Sequence, residues 1–321
     1  MQNELQKVLD YKNQNYEIIG EFNEEERKNL LEKYSVSPFF RFRRFVKKTI
    51  FFFINLFLKR KLPLIKSRSL KSVESKYDKI AGEYIQRYLK RNENIYPCDF
   101  GYGDKIYKVK GDPRKFLTTF ILNILETTNS SSFMEIGAGE LINIFEIQKK
   151  NSKIDFYKIL ALDISLPRLV VGNKFLEENS VKIDYCINSN AEKIPLSDNS
   201  IDLLFTIHCL EQVPNLAKNI IKEMLRVAKK YVVLIEPSIE YGSEITRKRI
   251  YAKDYVKLNN NMFKDIDAEI LYRRLNRLSS YTSSSEIVIL KKKSSKNFSG
   301  NFQFNPENKA FQKKDGVFIF N

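Results

Sequence analysis

The chain has 321 residues, of which 43% are hydrophobic, with three cysteines and a net charge of +16. A chain of this length can bury a real hydrophobic core in one large domain or two smaller ones. Cys98, Cys186 and Cys209 show no CxxC or Cys/His spacing, so the sequence predicts neither a disulfide framework nor a metal site. The N-terminus is polar and mixed in charge, unlike a secretory signal, and we expect a cytoplasmic location.

Four regions are predicted along the chain. Residues 1–73 form a helical N-terminal extension, which contains two short helices before residue 35, the second being EEERKNLLEKY. A cap is predicted at 74–131, with a helix at 74–91, a loop or hairpin at 92–113 and a helix at 113–127. The main domain is predicted at 132–293 and a polar tail at 294–321.

The positive charge is concentrated in the N-terminal extension. Twelve Lys or Arg and no Asp or Glu lie between Lys33 and Val73, so the other 280 residues carry only +4. A protein that follows a phosphate backbone usually spreads its basic residues over a face of the folded domain. The location of the excess therefore makes nucleic acid a less favoured partner.

The segment 38–62 is rich in both phenylalanine and basic residues. Its apolar run TIFFFINLFL has ten residues, about 15 Å as a helix, which is too short for a bilayer core of about 30 Å. One interpretation is a helix lying on an anionic membrane surface. A second is a lid that packs over the main domain with its basic side in water, and a third is RNA binding.

The main domain begins with strands that alternate with helices. The short apolar runs SFMEIG, YKILALD, VKIDYCI, IDLLFTI and YVVLIEP are separated by helical patterns at 140–150, 166–178 and 214–229. This alternation predicts a doubly wound α/β domain with a parallel sheet. After Pro237, the pattern predicts a helix at 246–263 and strands at 268–273 and 283–293.

Polar motifs follow three of these strands. Glu135-Ile-Gly-Ala-Gly139 ends the first strand, where a glycine-rich turn lets a ligand approach the backbone. A dinucleotide site would carry a third glycine at position 142, and Ile142 argues against it. Asp163 ends the second strand, where a carboxylate can accept hydrogen bonds from both hydroxyls of a ribose. NAEKIPLSDNSID precedes the fourth strand, and HCLEQVPN follows it at 208–215.

The order and spacing of these motifs resemble the class I S-adenosylmethionine (SAM)-dependent methyltransferases, and within them the type 11 group. The resemblance covers residues 132–237, and KYDKIAGEYIQRYL at 76–89 is similar to the Tyr-rich helix that precedes the glycine motif in that group. It implies a Rossmann-like fold with a seven-stranded, mostly parallel sheet, SAM as the cofactor and methyl transfer as the reaction.

The resemblance also assigns site residues. Glu135, Gly137 and Gly139 would hold the methionine end of SAM, Asp163 would bind the ribose hydroxyls, and Ile164 would pack on the adenine. The other predicted cofactor contacts are Asn190, which stands where the group usually has Asp, its neighbours Ala191 and Glu192, and His208.

His208 matches the first His of the HxLEHV stretch of the group, which borders the sulfonium of the cofactor. Two interpretations stay open for it, a catalytic base or a wall of the pocket. Asp163 and Asn190 have structural alternatives as well, a helix N-cap and plain turn chemistry. Glu211 is interpreted as the start of the following helical region.

Three functions are compatible with these features. The leading hypothesis is methyl transfer to a small-molecule or lipid-linked acceptor of quinone or glycan type, at the cytoplasmic face of a membrane. The second is an RNA or protein methyltransferase, and the third is a non-catalytic protein that keeps the SAM fold. Transfer to an oxygen, carbon or nitrogen atom stays open. The chain lacks an Asn/Asp-Pro-Pro-aromatic motif after the fourth strand, which argues against amino-methylation of adenine or glutamine.

Overall fold

A computed structural model describes residues 17–34, 46, 49, 69–90, 95–98, 105–111, 113–275, 283–293 and 311–320. Apart from positions 46 and 49, the basic segment 38–62 and its three interpretations lie outside the described residues. Within the described part of the chain, no helix has the length and apolar character needed to cross a membrane.

The described residues form two sheets. The strands are β1 (Glu17–Glu21), β2 (Ile95–Cys98), β3 (Tyr107–Lys110), β4 (Ser132–Ile136), β5 (Lys158–Asp163), β6 (Tyr185–Asn188), β7 (Ile201–Ile207), β8 (Ala228–Pro237), β9 (Ala268–Leu275), β10 (Ser285–Lys292), β11 (Phe311–Lys314) and β12 (Val317–Phe320). The first three form a small antiparallel sheet in the order β1-β3-β2, and the other nine form the main sheet.

Helices connect and cover these strands. The helices are α1 (Glu24–Tyr34), α2 (Leu70–Asp78), α3 (Glu83–Leu89), α4 (Pro113–Thr127), α5 (Ile142–Lys150), α6 (Leu166–Glu178), α7 (Ala217–Val227), α8 (Glu244–Lys253) and α9 (Asn260–Phe263). Side chains of α4, α5 and α6 pack in one buried cluster on one face of the sheet, and those of α7 pack in a second cluster on the other face. The doubly wound prediction is therefore confirmed.

The main sheet has the strand order β11-β12-β6-β5-β4-β7-β8-β10-β9. Strands β12 to β8 in this order are parallel to one another, and β11, β10 and β9 pair antiparallel. Apolar side chains fill both faces of β4, β7 and β8, as expected for central parallel strands covered by helices. The strand order reverses between β4 and β7, and this switch point is where ligands bind in such folds.

The seven strands from β6 to β9 match the predicted sheet, but two further strands join its edge. The prediction of a polar tail at 294–321 is therefore wrong for residues 311–320. Asp315 and Gly316, with φ of 47° and 78°, form the tight turn of a hairpin. Val317 is fully buried, and the Phe318 ring lies 5.6 Å from that of Tyr185 on the neighbouring strand. The apolar side chains of the short ending VFIF therefore stabilise this strand by packing against the sheet.

Three other local predictions differ from the structure. Residues 17–21 form a strand within the extension predicted to be helical, because they pair with β3. The helix predicted at 74–91 is two helices, α2 and α3, separated at Gly82, whose φ is +92°. The helix predicted at 246–263 ends at Lys253, where Asp254 adopts a left-handed conformation, and resumes as the short α9.

Candidate functional site

The turn after β4 is shaped by two glycines with left-handed backbone. The φ angles of Gly137 and Gly139 are +75° and +56°. A Cβ on Gly137 would lie 2.3 Å from Cys209 Sγ, and a Cβ on Gly139 would lie 2.3 Å from a guanidinium nitrogen of Arg168. Both positions require glycine, because the backbone is left-handed and because a Cβ would clash with a neighbouring side chain. The turn after β4 therefore packs directly on Cys209 after β7 and on Arg168 of α6.

Asp163 is held rigidly at the end of β5. It is 6% exposed, Oδ2 accepts the Gly139 N–H at 2.8 Å, and Oδ1 accepts the Ser165 N–H at 2.8 Å. Burial raises the pKa of this carboxyl, and the charge of Arg168 opposes the rise. The N-cap residue of α6 is Ser165 rather than Asp163. Each carboxylate oxygen keeps a second acceptor site, so Asp163 has the capacity to bind two ligand hydroxyls.

The predicted adenine contacts follow β5 and β6. The Asn188 side chain donates to the carbonyls of Asp163 and Ile164 at 3.1 and 2.8 Å, which fixes the backbone at the end of β5. Asn190 Oδ1 accepts the Glu192 N–H at 3.0 Å, so this side chain performs the turn chemistry considered for it. Its adenine contact stays a prediction, since an amide oxygen has a second acceptor site.

The remaining predicted cofactor contacts have structural partners of their own. Glu135 is fully buried, and its Oε1 accepts from Asn143 Nδ2 at 2.6 Å. Glu192 accepts from Asn219 on α7 at 3.2 Å, and Ala191 packs against the cluster on that face. The structure brings all these positions to the carboxyl edge of the parallel strands, while their roles toward SAM stay predictions.

His208 follows β7, with a left-handed backbone at φ +56°. Its Nε2 lies 2.7 Å from Ser285 Oγ, which itself lies 3.1 Å from the Ser283 carbonyl. The Ser285 hydroxyl either accepts from Nε2 while it donates to this carbonyl, or donates to Nε2, and the tautomer of His208 decides which.

Glu211 lies beside His208, an arrangement that the sequence interpretation missed. It is 4% exposed in a single 3₁₀ turn, Leu210–Gln212, and its Oε2 lies 3.6 Å from His208 Nδ1. Burial acts to raise the pKa of Glu211, but the adjacent His208 imidazole and the Arg249 guanidinium outweigh it, and the pKa lies below its usual range. The motif HCLE contained both residues, yet their spacing does not show that the carboxylate is buried behind the ring.

Glu236 fixes the turn that carries His208. It is fully buried at the end of β8, and its carboxylate accepts the backbone N–H groups of Cys209, Leu210 and Glu211 at 3.0, 3.0 and 3.1 Å. Thr206 adds a hydroxyl donor at 2.9 Å. Burial raises the pKa of Glu236 to about 7, with the His208 charge and these donors opposing the rise.

The raised pKa of Glu236 predicts a pH-dependent contribution to stability. A carboxyl with a folded-state pKa above its unfolded value binds more protons in the folded state, so its stabilisation is lost as pH rises from about 4.5 to about 7. The free energy of unfolding of wild type relative to E236Q is expected to fall by about 3 kcal/mol across this window and to stay level above it. Urea denaturation of both proteins from pH 4.5 to 8 measures the difference, and a flat difference would contradict the assignment.

The site fits SAM in the respect that the structure tests. The buried Asp163 beside the glycine turn has acceptor capacity for ribose hydroxyls. When bound, SAM supplies a methyl group on an activated sulfonium. The residues that would hold it are those of the glycine turn, Asp163, and the backbone after β6.

Comparisons with known proteins agree with this geometry. A family model described as Methyltransferase domain matches residues 134–235. A comparison with curated protein sequences found no match. Among solved structures, the cyclase SpnF is similar at 14% identity with a TM-score of 0.50, covering 70% of this chain and 97% of that one. Magnesium protoporphyrin IX methyltransferase from Synechocystis PCC 6803 with bound SAH is similar at 11% identity, a TM-score of 0.48 and coverage of 68% and 98%.

At 14% identity the match to SpnF shows the fold alone, and the family model adds the assignment of residues 134–235. The matched residues include the glycine turn, Asp163 and His208, which lie together at the switch point of the sheet. Residues 134–235 therefore form a SAM-dependent methyltransferase domain on the class I fold, with SAM as the cofactor.

Proposed function

We propose that this methyltransferase transfers its methyl group to a hydroxyl oxygen of a small-molecule acceptor, with His208 as the proton acceptor. The observation that carries the proposal is the Glu211 carboxylate, buried 3.6 Å behind His208 Nδ1. A hydroxyl must lose its proton as the O–C bond forms, and imidazole is the side chain best suited to take that proton near neutral pH. A nearby carboxylate stabilises the imidazolium that results.

The contacts of His208 hold its ring in one orientation and leave part of it accessible. The hydrogen bond of Nε2 to Ser285 orients the ring, and the His208 side chain keeps 27% exposure, so an acceptor can reach it. Glu236 holds the turn beneath, and the Cys209 side chain packs on Gly137. His208 therefore lies next to a residue that packs on the glycine turn, and orientation of two reactants at such a site contributes much of the rate.

The distribution of charge favours a small molecule over a nucleic acid. Outside residues 33–73 the chain carries only +4 over 280 residues. A protein that binds RNA over its catalytic domain usually has a basic face there.

Methyl-labelled SAM tests the reaction class. The full chain is incubated with tritiated SAM and, separately, a phenolic quinol, a polyprenyl-phosphate-linked sugar, total RNA and bulk protein. We expect label in a hydroxyl acceptor, recovered as a base-stable methyl ether. Label in RNA or protein, or in an amine, would overturn the proposal.

We also propose that the segment 38–62 holds the enzyme on an anionic membrane, where a lipid-linked acceptor would lie. The segment has eight Lys or Arg, eight Phe and no acidic residue. Basic residues near an anionic surface contribute about 1 kcal/mol each, and the apolar side chains add burial in the interface.

Vesicle flotation tests the membrane proposal. Full-length protein is expected to float with anionic vesicles and far less with neutral ones, and protein lacking residues 38–62 is expected to stay at the bottom. The triple variant R41Q/R43Q/R44Q is the matched control for charge and should lose much of the preference for anionic vesicles. Flotation that is unaffected by the deletion, or absent in the full chain, would contradict the proposal.

A further inference from the structure

A buried arginine lies against the glycine turn. Arg168, in the first turn of α6, is 9% exposed. Its guanidinium approaches Gly139 so closely that a Cβ on that glycine would lie 2.3 to 2.8 Å from three guanidinium atoms. Burying a cation is costly unless it is paired, so this position calls for an anionic partner.

The protein itself supplies only part of that partner. Among the described residues, Glu140 is the one carboxylate within 4.0 Å of Arg168, at 3.5 Å between Oε1 and Nε. The Glu140 carboxylate also accepts the N–H groups of Tyr84 and Ile85, at 3.4 and 2.8 Å. Glu140 thus divides its acceptors between Arg168 and the first turn of α3. Its 3.5 Å contact with the guanidinium is longer than a strong charge-assisted hydrogen bond, which is about 2.7–2.9 Å.

Two aromatic rings from the cap hold the guanidinium in place. The Arg168 Cζ lies 5.0 Å from the ring centre of Tyr77 on α2 and 4.6 Å from that of Tyr84 on α3. Contact with the two rings fixes the orientation of the planar guanidinium, whose N–H groups form a fork that matches a carboxylate. Arg168 therefore lies between the cap helices and the glycine turn, near enough to Asp163 for its charge to oppose the rise in the pKa of that carboxyl.

We propose that Arg168 binds the carboxylate at the methionine end of SAM. SAM carries a single carboxylate, and a guanidinium binds a carboxylate through two parallel hydrogen bonds. In this arrangement the ribose hydroxyls lie at Asp163, and the amino-acid end extends toward the cap. Arg168 is then a cofactor-specificity residue, and Tyr77 and Tyr84 are its positioning residues. The proposal rests on the glycine turn being the SAM site.

Binding of two ligands that differ by one group tests the proposal. The ligands are S-adenosylhomocysteine (SAH), the demethylated product, and its decarboxylated analogue, each titrated into full-length protein by calorimetry. Wild type is expected to bind SAH at least about tenfold more tightly than the analogue. R168M is expected to weaken SAH binding by about 30-fold while its affinity for the analogue stays within about threefold.

The control variant is R87M. Arg87 also contacts the Tyr84 ring, at 5.4 Å, but its side chain is 55% exposed and pairs with Glu83 on the same helix. R87M should therefore keep the wild-type preference for SAH. If R168M does not fold, R168K serves as the test variant, because Lys retains the charge but cannot form the paired hydrogen bonds. A preference for SAH over the analogue that is reduced at least about threefold in R168K supports the proposal.

Equal losses for SAH and its analogue in R168M would overturn the proposal, because they would show a packing role. An unchanged preference in R168K would overturn it as well. Failure of the SAM assignment has a different signature, since wild type would then bind neither ligand.

Discussion

Replacing His208 with asparagine is expected to lower kcat for hydroxyl methylation by about a thousandfold, while the affinity for SAH stays within about threefold. The loss arises because an amide cannot take the proton that the acceptor releases. Asparagine is the appropriate replacement because it tolerates the left-handed backbone at this position, where φ is +56°. Steady-state kinetics with the hydroxyl acceptor, together with calorimetric titration of SAH, measure the two effects.

A phenolic acceptor adds a second readout for His208. A phenol ionises by itself near pH 10, so the rate of H208N should climb steeply toward that pH and approach the wild-type rate. E211Q should show a smaller loss, about tenfold, because the imidazolium forms without its carboxylate neighbour. A kcat for H208N within about threefold of wild type at pH 7 would mean that His208 is only a wall of the pocket.

Replacing Asp163 with asparagine is expected to weaken SAH binding by about 100-fold. Both oxygens of the carboxylate accept backbone N–H groups, and both are expected to accept ribose hydroxyls. The amide keeps one acceptor oxygen and turns an NH₂ group toward a backbone N–H, which removes charge-assisted bonds and misaligns the ligand. Calorimetric titration of SAH measures the change.

Asp202 provides the matched control for Asp163. It is also 6% exposed, and it accepts the backbone N–H groups of Ser131 and Ser132 at 3.2 and 3.1 Å, at the opposite edge of the sheet. D202N and D163N should both lower the thermal midpoint, but only D163N should lose SAH affinity. Equal SAH affinities in the two variants would remove Asp163 from the cofactor site.

Much of the α/β fold was predictable because its central strands are buried on both faces. SFMEI and IDLLFTI are nearly continuous apolar runs, and such runs between helical patterns specify parallel strands. The helix predicted at 166–178 has those same bounds in the structure. The predicted parts of the site lie in the turns that end these strands, so the fold brings them to one edge.

The misassigned elements depend on distant pairing. β1 gains its hydrogen bonds from β3, more than 80 residues away, and β12 gains its own from β6. Short strands of this kind are stabilised by the sheet they join rather than by their own pattern. The break between α2 and α3 is different in origin, because Gly82 lies within an otherwise helical pattern that gives no clear stop.

The missed site residues are charged groups whose burial is decided by other elements. Glu236 lies under a turn about 27 residues earlier in the chain, and Ser285 meets His208 across 77 residues. In the sequence Arg168 is an ordinary basic residue of a helix. Its contacts with Gly139 and with two cap tyrosines exist only once α2, α3 and α6 meet over the glycine turn.

Calorimetric titration of SAH into the full-length wild-type protein tests the central claim most directly, since it asks whether the glycine turn and Asp163 form a SAM site. We expect one saturable site per chain with a Kd between about 1 μM and about 1 mM, the range of ordinary enzyme ligands. No saturable binding at about 1 mM SAH would contradict the account, because a class I methyltransferase must bind its cofactor product at this site.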